Sequence, residues 1–191
     1  MPLNIPNLLT LLRIALIPVF VVVFYLPYSW SNEVTTLIFA LAGLTDWLDG
    51  YLARRLKQES PFGAFLDPVA DKLIVAAALV LLVQAHPTPL LAIPALIIIG
   101  REIAISALRE WMAAIGERVK VAVMMVGKLK TSAQIGAILL LLYGDSIGPF
   151  PTYDAGIVLI YGCSLTLWSM IVYLIKAWPI LQEKFITWLD R

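Results

Sequence analysis

Six long apolar segments fill most of the chain. Hydrophobic windows place these segments near residues 6–26, 34–57, 63–85, 89–114, 122–143 and 154–177. About 20 apolar residues are needed to cross the ~30 Å hydrocarbon layer of a membrane, and exposed strand edges are forbidden in lipid. Because each segment reaches that length, the sequence predicts an all-α, polytopic membrane protein with six transmembrane helices.

The composition agrees with a membrane protein. Of the 191 residues, 61% are hydrophobic and 14% are charged, whereas a soluble domain carries about 45–50% apolar and about 25% charged residues. Six spans and their turns use up the chain, so we expect residues 1–191 to form a single membrane domain. The net charge of +1, without a basic cluster, indicates no nucleic-acid partner. The one cysteine, Cys163, is expected to be a small buried side chain rather than a disulfide or metal ligand.

The basic residues predict the orientation in the membrane. The turns at 27–33, 86–90 and 144–153 contain no Lys or Arg, and all fourteen basic residues can be assigned to the opposite side. The positive-inside rule then places both termini in the cytoplasm. Apolar residues at helical spacing within 178–189 predict a C-terminal helix lying on the inner surface.

Four aspartates interrupt the apolar pattern of the second and third helices. An aspartate at the centre of a spanning helix costs roughly 2.5–3.5 kcal/mol, so four of them need a compensating cause. Asp46 and Asp49 are three residues apart and Asp67 and Asp71 are four apart, which places each pair on one helix face. The turn between the helices is short, so we expect antiparallel neighbours whose carboxylates converge.

Converging carboxylates need cations. Two divalent ions would neutralise four negative charges, and oxygen ligands select hard ions such as Mg²⁺, Mn²⁺ or Ca²⁺. The alternative is that the aspartates pair with Arg54, Arg55 and Lys72 near the interface. Gly50 and Gly63 lie beside the acidic residues and each costs helix stability, about 1 kcal/mol against alanine. Their presence favours a site that admits a bulky ligand.

These residues carry a resemblance to a known family. The segment Asp46-Trp47-Leu48-Asp49-Gly50-Tyr51-Leu52-Ala53-Arg54, followed after eight residues by Gly63, Asp67 and Asp71, matches the pattern D-x2-D-G-x2-A-R-x8-G-x3-D-x3-D. This pattern is the signature of the CDP-alcohol phosphotransferase family, which the chain therefore resembles. The resemblance implies a six-helix membrane enzyme, usually a homodimer, that transfers the substituted phosphate of a CDP-linked compound to a hydroxyl and releases CMP.

The resemblance also implies roles for individual residues. Asp46, Asp49, Asp67 and Asp71 would bind two Mg²⁺ or Mn²⁺ ions, and Asp71 would also be the catalytic base. Gly50, Ala53 and Gly63 would let the nucleotide of the CDP-linked lipid approach, and Arg54 would contact its phosphates or cytidine. Asn7, Thr10 and Arg13 form a polar set on the first helix; the family's first helix lies near the nucleotide, but helix capping and snorkelling explain the set equally well.

Further similarity implies which acceptor the chain uses. The segments 4–13, 63–72, 101–111 and 127–131 resemble the bacterial branch of the family that joins CDP-diacylglycerol to sn-glycerol 3-phosphate, and the similarity thins after about residue 140. The bacterial inner membrane is the location that this branch implies. Intramembrane cations need an anionic partner, and the candidates for binding the acceptor phosphate are Arg101, Arg109, Lys128 and Lys130. Their alternative is internal pairing with Glu102 and Glu110 together with snorkelling to membrane lipids.

Other functions predict different sequence features. A divalent-cation transporter needs a polar path through both membrane halves, yet the outward halves here are almost wholly apolar. An intramembrane prenyltransferase lacks the Gly-x2-Ala-Arg continuation after its aspartates. Within the family, inositol phosphate, serine and phosphatidylglycerol are alternative acceptors, and the pair of lysines at 128 and 130 favours a phosphorylated one.

Overall fold

The structure is a computed structural model that describes residues 4–56, 61–114, 125–144 and 149–164. Its regular elements are six α-helices, which in chain order are α1 (Ile5–Phe24), α2 (Ser31–Leu56), α3 (Pro61–Ala85), α4 (Pro89–Ala114), α5 (Met125–Tyr143) and α6 (Thr152–Ser164).

The all-α prediction is confirmed. The helix ends differ from the predicted spans by three residues or fewer wherever both are described. The predicted sixth span continues beyond Ser164, and that continuation lies outside the described residues. The predicted surface helix at 178–189 lies outside them as well.

Local sequence explains where several helices begin, end or weaken. Pro6 occupies the first turn of α1, where its missing N–H removes no helical hydrogen bond. Gly144 ends α5 in the left-handed conformation, with φ of 71°, and its N–H donates to the Leu140 carbonyl at 3.2 Å, as in an αL cap. Prolines also lie inside three helices, namely Pro18 in α1, Pro68 in α3 and Pro94 in α4.

Helix α1 lies at the centre of the first half of the bundle. It packs against both α2 and α3 more extensively than those two helices pack against each other. In the second half, α5 packs on α6 and α2, and α4 packs on α6 and α3. All six helices contribute to one apolar core, whose members include Phe20, Phe39, Leu79, Leu82, Leu91, Ile98, Ile138, Leu141, Ile160 and Cys163. The expectation that Cys163 is a small buried side chain is confirmed.

The outside of the bundle is apolar too. Large hydrophobic side chains are exposed along α2 at Leu37, Leu41 and Leu44. Others are exposed along α4. Soluble monomers rarely expose apolar patches of more than a few hundred Å². Two of the described helices, α1 and α4, are long and apolar enough to cross a membrane by length and composition. These features support a membrane protein.

The contact between α5 and α6 depends on Gly156. An ideal Cβ at this position would lie 2.7 Å from Leu141 Cγ and 3.2 Å from the Ala137 carbonyl oxygen. We therefore expect Gly156→Ala to lower the free energy of unfolding by about 1–3 kcal/mol through overpacking. The measurement is the thermal unfolding midpoint of the purified protein.

Gly162→Ala, one and a half turns further along α6, is the matched control because a Cβ there meets nothing within 4 Å. Equal midpoints for the two variants would contradict the overpacking argument.

Candidate functional site

Three polar side chains at the start of α1 are buried within the bundle. Asn7, Thr10 and Arg13 are spaced three residues apart and so share one helix face, and Thr10 and Arg13 are fully enclosed. In an apolar helix, such residues are costly unless they meet partners. Their burial favours the interpretation that this set faces the bundle over capping and snorkelling.

Arg13 contacts carboxylates on two other helices. Its Nη1 donates to Asp46 Oδ1 on α2 at 3.3 Å, and the same nitrogen donates to Asp71 Oδ1 on α3. Both contacts are ion pairs. One buried guanidinium therefore joins α1 to α2 and to α3.

Thr10 makes a parallel contact one turn earlier on α1. Its Oγ1 donates to Asp67 Oδ1 at 2.5 Å. Three of the four predicted carboxylates, on two helices, are thus held from the same face of α1.

The two carboxylates that contact Arg13 are exposed to solvent, whereas Arg13 itself is buried. The side chains of Asp46 and Asp71 are 47% and 42% exposed, while that of Arg13 is 0% exposed. The guanidinium lies behind the two carboxylates, and their outer sides remain accessible. A ligand that approaches this end of the bundle meets negatively charged oxygen atoms first.

The convergence of the aspartates arises differently from the sequence-based expectation. We expected α2 and α3 to bring their carboxylates together as direct neighbours, whereas α1 packs against both helices and supplies the linking side chains. The sequence places Arg13 in the polar set of the first helix but gives it no role at the aspartates. The signal for such a role is a cation inside an apolar span, three residues from a second polar side chain on the same face.

The donor set fits a hard divalent cation. Asp46 and Asp71 both contact the Arg13 guanidinium, and they offer only oxygen atoms, which Mg²⁺ and Mn²⁺ prefer. Among side chains that the structure describes, no three His, Cys, Asp or Glu residues form a group that could hold a metal ion. The side chain of Asp49, the fourth predicted ligand, lies outside the described residues, although its backbone belongs to α2.

Several other predicted site residues are described only by their backbone. Gly63 is buried near the start of α3. The residues whose side-chain surroundings lie outside the described part are Gly50, Ala53 and Arg54 on α2, Arg109 on α4, and Lys128 and Lys130 on α5. Their proposed roles in binding the nucleotide and the acceptor stay predictions.

Two basic residues make contacts away from the aspartates. Arg101 forms an ion pair with Glu102, its neighbour on α4, which is the internal pairing that we considered as the alternative to acceptor binding. Lys72 on α3 donates to the Ser106 hydroxyl on α4. Lys72 is one of the cations in the alternative in which basic residues neutralise the aspartates, and its described contact instead joins α3 to α4.

Comparison with known proteins assigns this site to a family. The family described as CDP-alcohol phosphatidyltransferase matches residues 3–179, which includes all of the elements above. The chain belongs to the CDP-alcohol phosphatidyltransferase family. The resemblance predicted from the aspartate motif is therefore confirmed.

Relatives within the CDP-alcohol phosphatidyltransferase family share most of the sequence. A protein from Pseudomonas fluorescens is 54% identical over 180 residues, covering 94% of this chain and 92% of its own length. One from Haemophilus influenzae is 56% identical over 177 residues, covering 91% and 93%. One from Yersinia pestis (strain Pestoides F) is 52% identical over 187 residues, covering 96% and 100%. All three are named CDP-diacylglycerol–glycerol-3-phosphate 3-phosphatidyltransferase.

Proposed function

We propose that this protein transfers the phosphatidyl group of CDP-diacylglycerol to sn-glycerol 3-phosphate, which gives phosphatidylglycerophosphate and CMP in phospholipid biosynthesis. The observation that carries the proposal is the cluster of Asp46, Asp67 and Asp71 around α1, in a chain that is more than half identical to relatives named for this reaction.

We also propose the membrane arrangement that this reaction needs. Six transmembrane helices would span the bacterial inner membrane with both termini in the cytoplasm, and the protein would act as a homodimer, as its family implies. The water-soluble acceptor would reach the aspartates from the cytoplasm. The apolar outer surfaces of α2 and α4 support contact with lipid, and the positions of the basic residues support this orientation.

The proposed reaction is a substitution at phosphorus. The acceptor hydroxyl oxygen forms a bond to the phosphorus of the phosphatidyl group, and the bond between that phosphorus and the bridging oxygen breaks, so that CMP leaves with the electron pair. The proton of the hydroxyl passes to an oxygen of Asp71, whose carboxylate is 42% exposed and therefore accessible to the acceptor. Thr10 holds Asp67 through its hydroxyl, and this contact would keep one carboxylate oriented toward the diphosphate.

Two divalent cations, Mg²⁺ or Mn²⁺, held by Asp46, Asp49, Asp67 and Asp71, would stabilise the negative charge on the diphosphate and on departing CMP. Around them, Gly50, Ala53 and Gly63 would leave space for the nucleotide and Arg54 would bind its phosphates or cytidine, with Asn7 and Thr10 nearby. Arg101, Arg109, Lys128 and Lys130 would bind the acceptor phosphate.

One assay tests the proposed function. The purified protein in lipid nanodiscs receives CDP-diacylglycerol and Mg²⁺, and CMP release is followed with sn-glycerol 3-phosphate, inositol phosphate, serine or phosphatidylglycerol as acceptor. We expect release with sn-glycerol 3-phosphate alone. Release with another acceptor would keep the chemistry and change the substrate, and no release with any of them, from folded protein, would contradict the proposal.

The acceptor pocket has its own prediction. We expect Lys128→Ala to raise the KM for sn-glycerol 3-phosphate about tenfold, since a hydrogen bond to a charged group contributes about 1.5–3 kcal/mol, while the KM for CDP-diacylglycerol changes less. Steady-state kinetics with each substrate varied in turn provide the measurement. Lys176→Ala is the control, because that lysine has no proposed role. The reverse pattern would move Lys128 to the liponucleotide.

A further inference from the structure

We propose that Arg13 is a positioning residue that acts as a built-in counter-charge. It holds Asp46 and Asp71 together before a divalent cation binds, and it keeps Asp71 in place for proton transfer. The inference deepens the proposed function, because it rests on these two aspartates belonging to a cation site.

The contacts of Arg13 are the first argument. A single nitrogen, Nη1, donates to a carboxylate oxygen of Asp46 and to one of Asp71. The two aspartates belong to different helices, and neither helix packs against the other as extensively as α1 packs against each. One nitrogen of α1 therefore joins a carboxylate of α2 to a carboxylate of α3.

Charge is the second argument. Two ionised carboxylates that share one site repel each other, and in a poorly solvated place they require a nearby cation. Within these three side chains, Arg13 supplies one positive charge against two negative charges. In this proposal, the partial neutralisation keeps the two carboxylates together without a metal ion and leaves negative charge to attract one.

Burial decides what kind of role Arg13 can have. Its side chain is 0% exposed, whereas the two aspartates are nearly half exposed. A substrate that enters from the open side meets the carboxylates and is separated from the guanidinium by them. Arg13 therefore acts through Asp46 and Asp71 and does not touch the reacting atoms.

A measurable consequence follows from the linkage between metal binding and folding. If Arg13 provides part of the neutralisation, its removal leaves two uncompensated carboxylates, and a divalent cation then takes over the neutralisation that Arg13 supplied. A ligand that binds the folded state stabilises it in proportion to the logarithm of its affinity. Loss of the arginine should thus make the protein less stable without metal and more strongly stabilised by metal.

The test compares Arg13→Gln with the parent, as full-length protein in nanodiscs. Arg13→Lys keeps the positive charge. Tyr25→Phe is the matched control, since it removes a hydrogen bond from Tyr25, the residue that follows α1, to Gln84 on α3, at the opposite end of the bundle. Unfolding midpoints are measured with and without Mn²⁺, and Mn²⁺ affinity is measured by electron paramagnetic resonance. The kcat and the KM for CDP-diacylglycerol are determined at saturating metal.

We expect a distinct pattern in Arg13→Gln. Its metal-free midpoint falls, its stabilisation by Mn²⁺ exceeds that of the parent, and its Mn²⁺ dissociation constant decreases about fivefold or more. Its kcat falls at least about tenfold while the KM for CDP-diacylglycerol stays within about threefold. Arg13→Lys restores the Mn²⁺ affinity of the parent, and Tyr25→Phe changes neither affinity nor kcat.

Unchanged or weakened Mn²⁺ binding in Arg13→Gln would overturn the counter-charge role, and an unchanged kcat would overturn the positioning role. If this variant is too unstable to purify, the double variant R13Q/D46N removes one charge of each sign and should yield folded protein. A double variant that is as unstable as Arg13→Gln would assign Arg13 to packing alone. The midpoint and Mn²⁺ measurements need no turnover, so absence of CMP release from the parent would refute the proposed function and leave this inference separately testable.

Discussion

Asp71→Asn is expected to lower the rate of CMP release by about a thousandfold, within the range that general-base catalysis contributes. Asparagine has nearly the same shape as aspartate but cannot accept the proton of the acceptor hydroxyl. The variant should also retain more CDP-diacylglycerol binding than Asp46→Asn does, because Asp46 is proposed only to hold the cations that bind the diphosphate, whereas Asp71 is proposed to be the base as well. Initial rates of CMP release and equilibrium binding of CDP-diacylglycerol are the two measurements.

The control for this pair is Asp154→Asn. Asp154 is an exposed aspartate in the first turn of α6, and it has no place in the proposed site. Its turnover should equal that of the parent. Equal turnover in Asp71→Asn and the parent would end the assignment of Asp71 as the base.

Removal of divalent cations is expected to have an effect of similar size. Treatment of the purified protein with a chelator should abolish CMP release, since Asp46, Asp67 and Asp71 offer only negative oxygen atoms to a diphosphate that is itself negative. Addition of Mg²⁺ or Mn²⁺ in excess of the chelator should restore turnover. Zn²⁺ should restore much less, because it favours nitrogen and sulfur ligands in tetrahedral sites.

Two checks separate a requirement for metal from a loss of folded structure. Far-ultraviolet circular dichroism of the chelated protein should retain its helical signal, because the apolar core that joins all six helices contains no proposed metal ligand. Full turnover in the presence of the chelator, with trace metal verified as absent, would contradict the cation site.

The helices could be predicted closely because membrane burial leaves a simple signal. A spanning segment must be apolar over about 20 residues and helical throughout, so the bounds of α3 and α4 follow from hydrophobicity and from prolines such as Pro61 and Pro89 at their starts. The pairing of helices leaves no such signal. The sequence indicated that α2 and α3 follow one another across a short turn, but the position of α1 against both depends on side-chain packing over the whole bundle.

The candidate site was predictable to the extent that its residues belong to one contiguous motif. Asp46, Asp67 and Asp71 stand at fixed spacing and carry charge where charge is costly. Arg13 lies 33 residues before Asp46, and sequence spacing alone gives an arginine near a helix start two equally good explanations. Arg101 is the opposite case. The sequence predicts that it binds the acceptor phosphate, and in the structure it pairs with the adjacent Glu102.

Pro68, inside α3, separates the turn that bears Asp67 from the turn that bears Asp71. A proline has no N–H to donate to the carbonyl four residues earlier, so α3 lacks the backbone hydrogen bond from residue 68 to residue 64, in the turn that leads into Asp67. The part of α3 before this turn can therefore tilt relative to the part that bears Asp71 at a lower cost than in an unbroken helix. Asp67 stands in that turn, so the Thr10 hydroxyl on α1, which donates to its carboxylate, supplies from a second helix a restraint that the α3 backbone lacks.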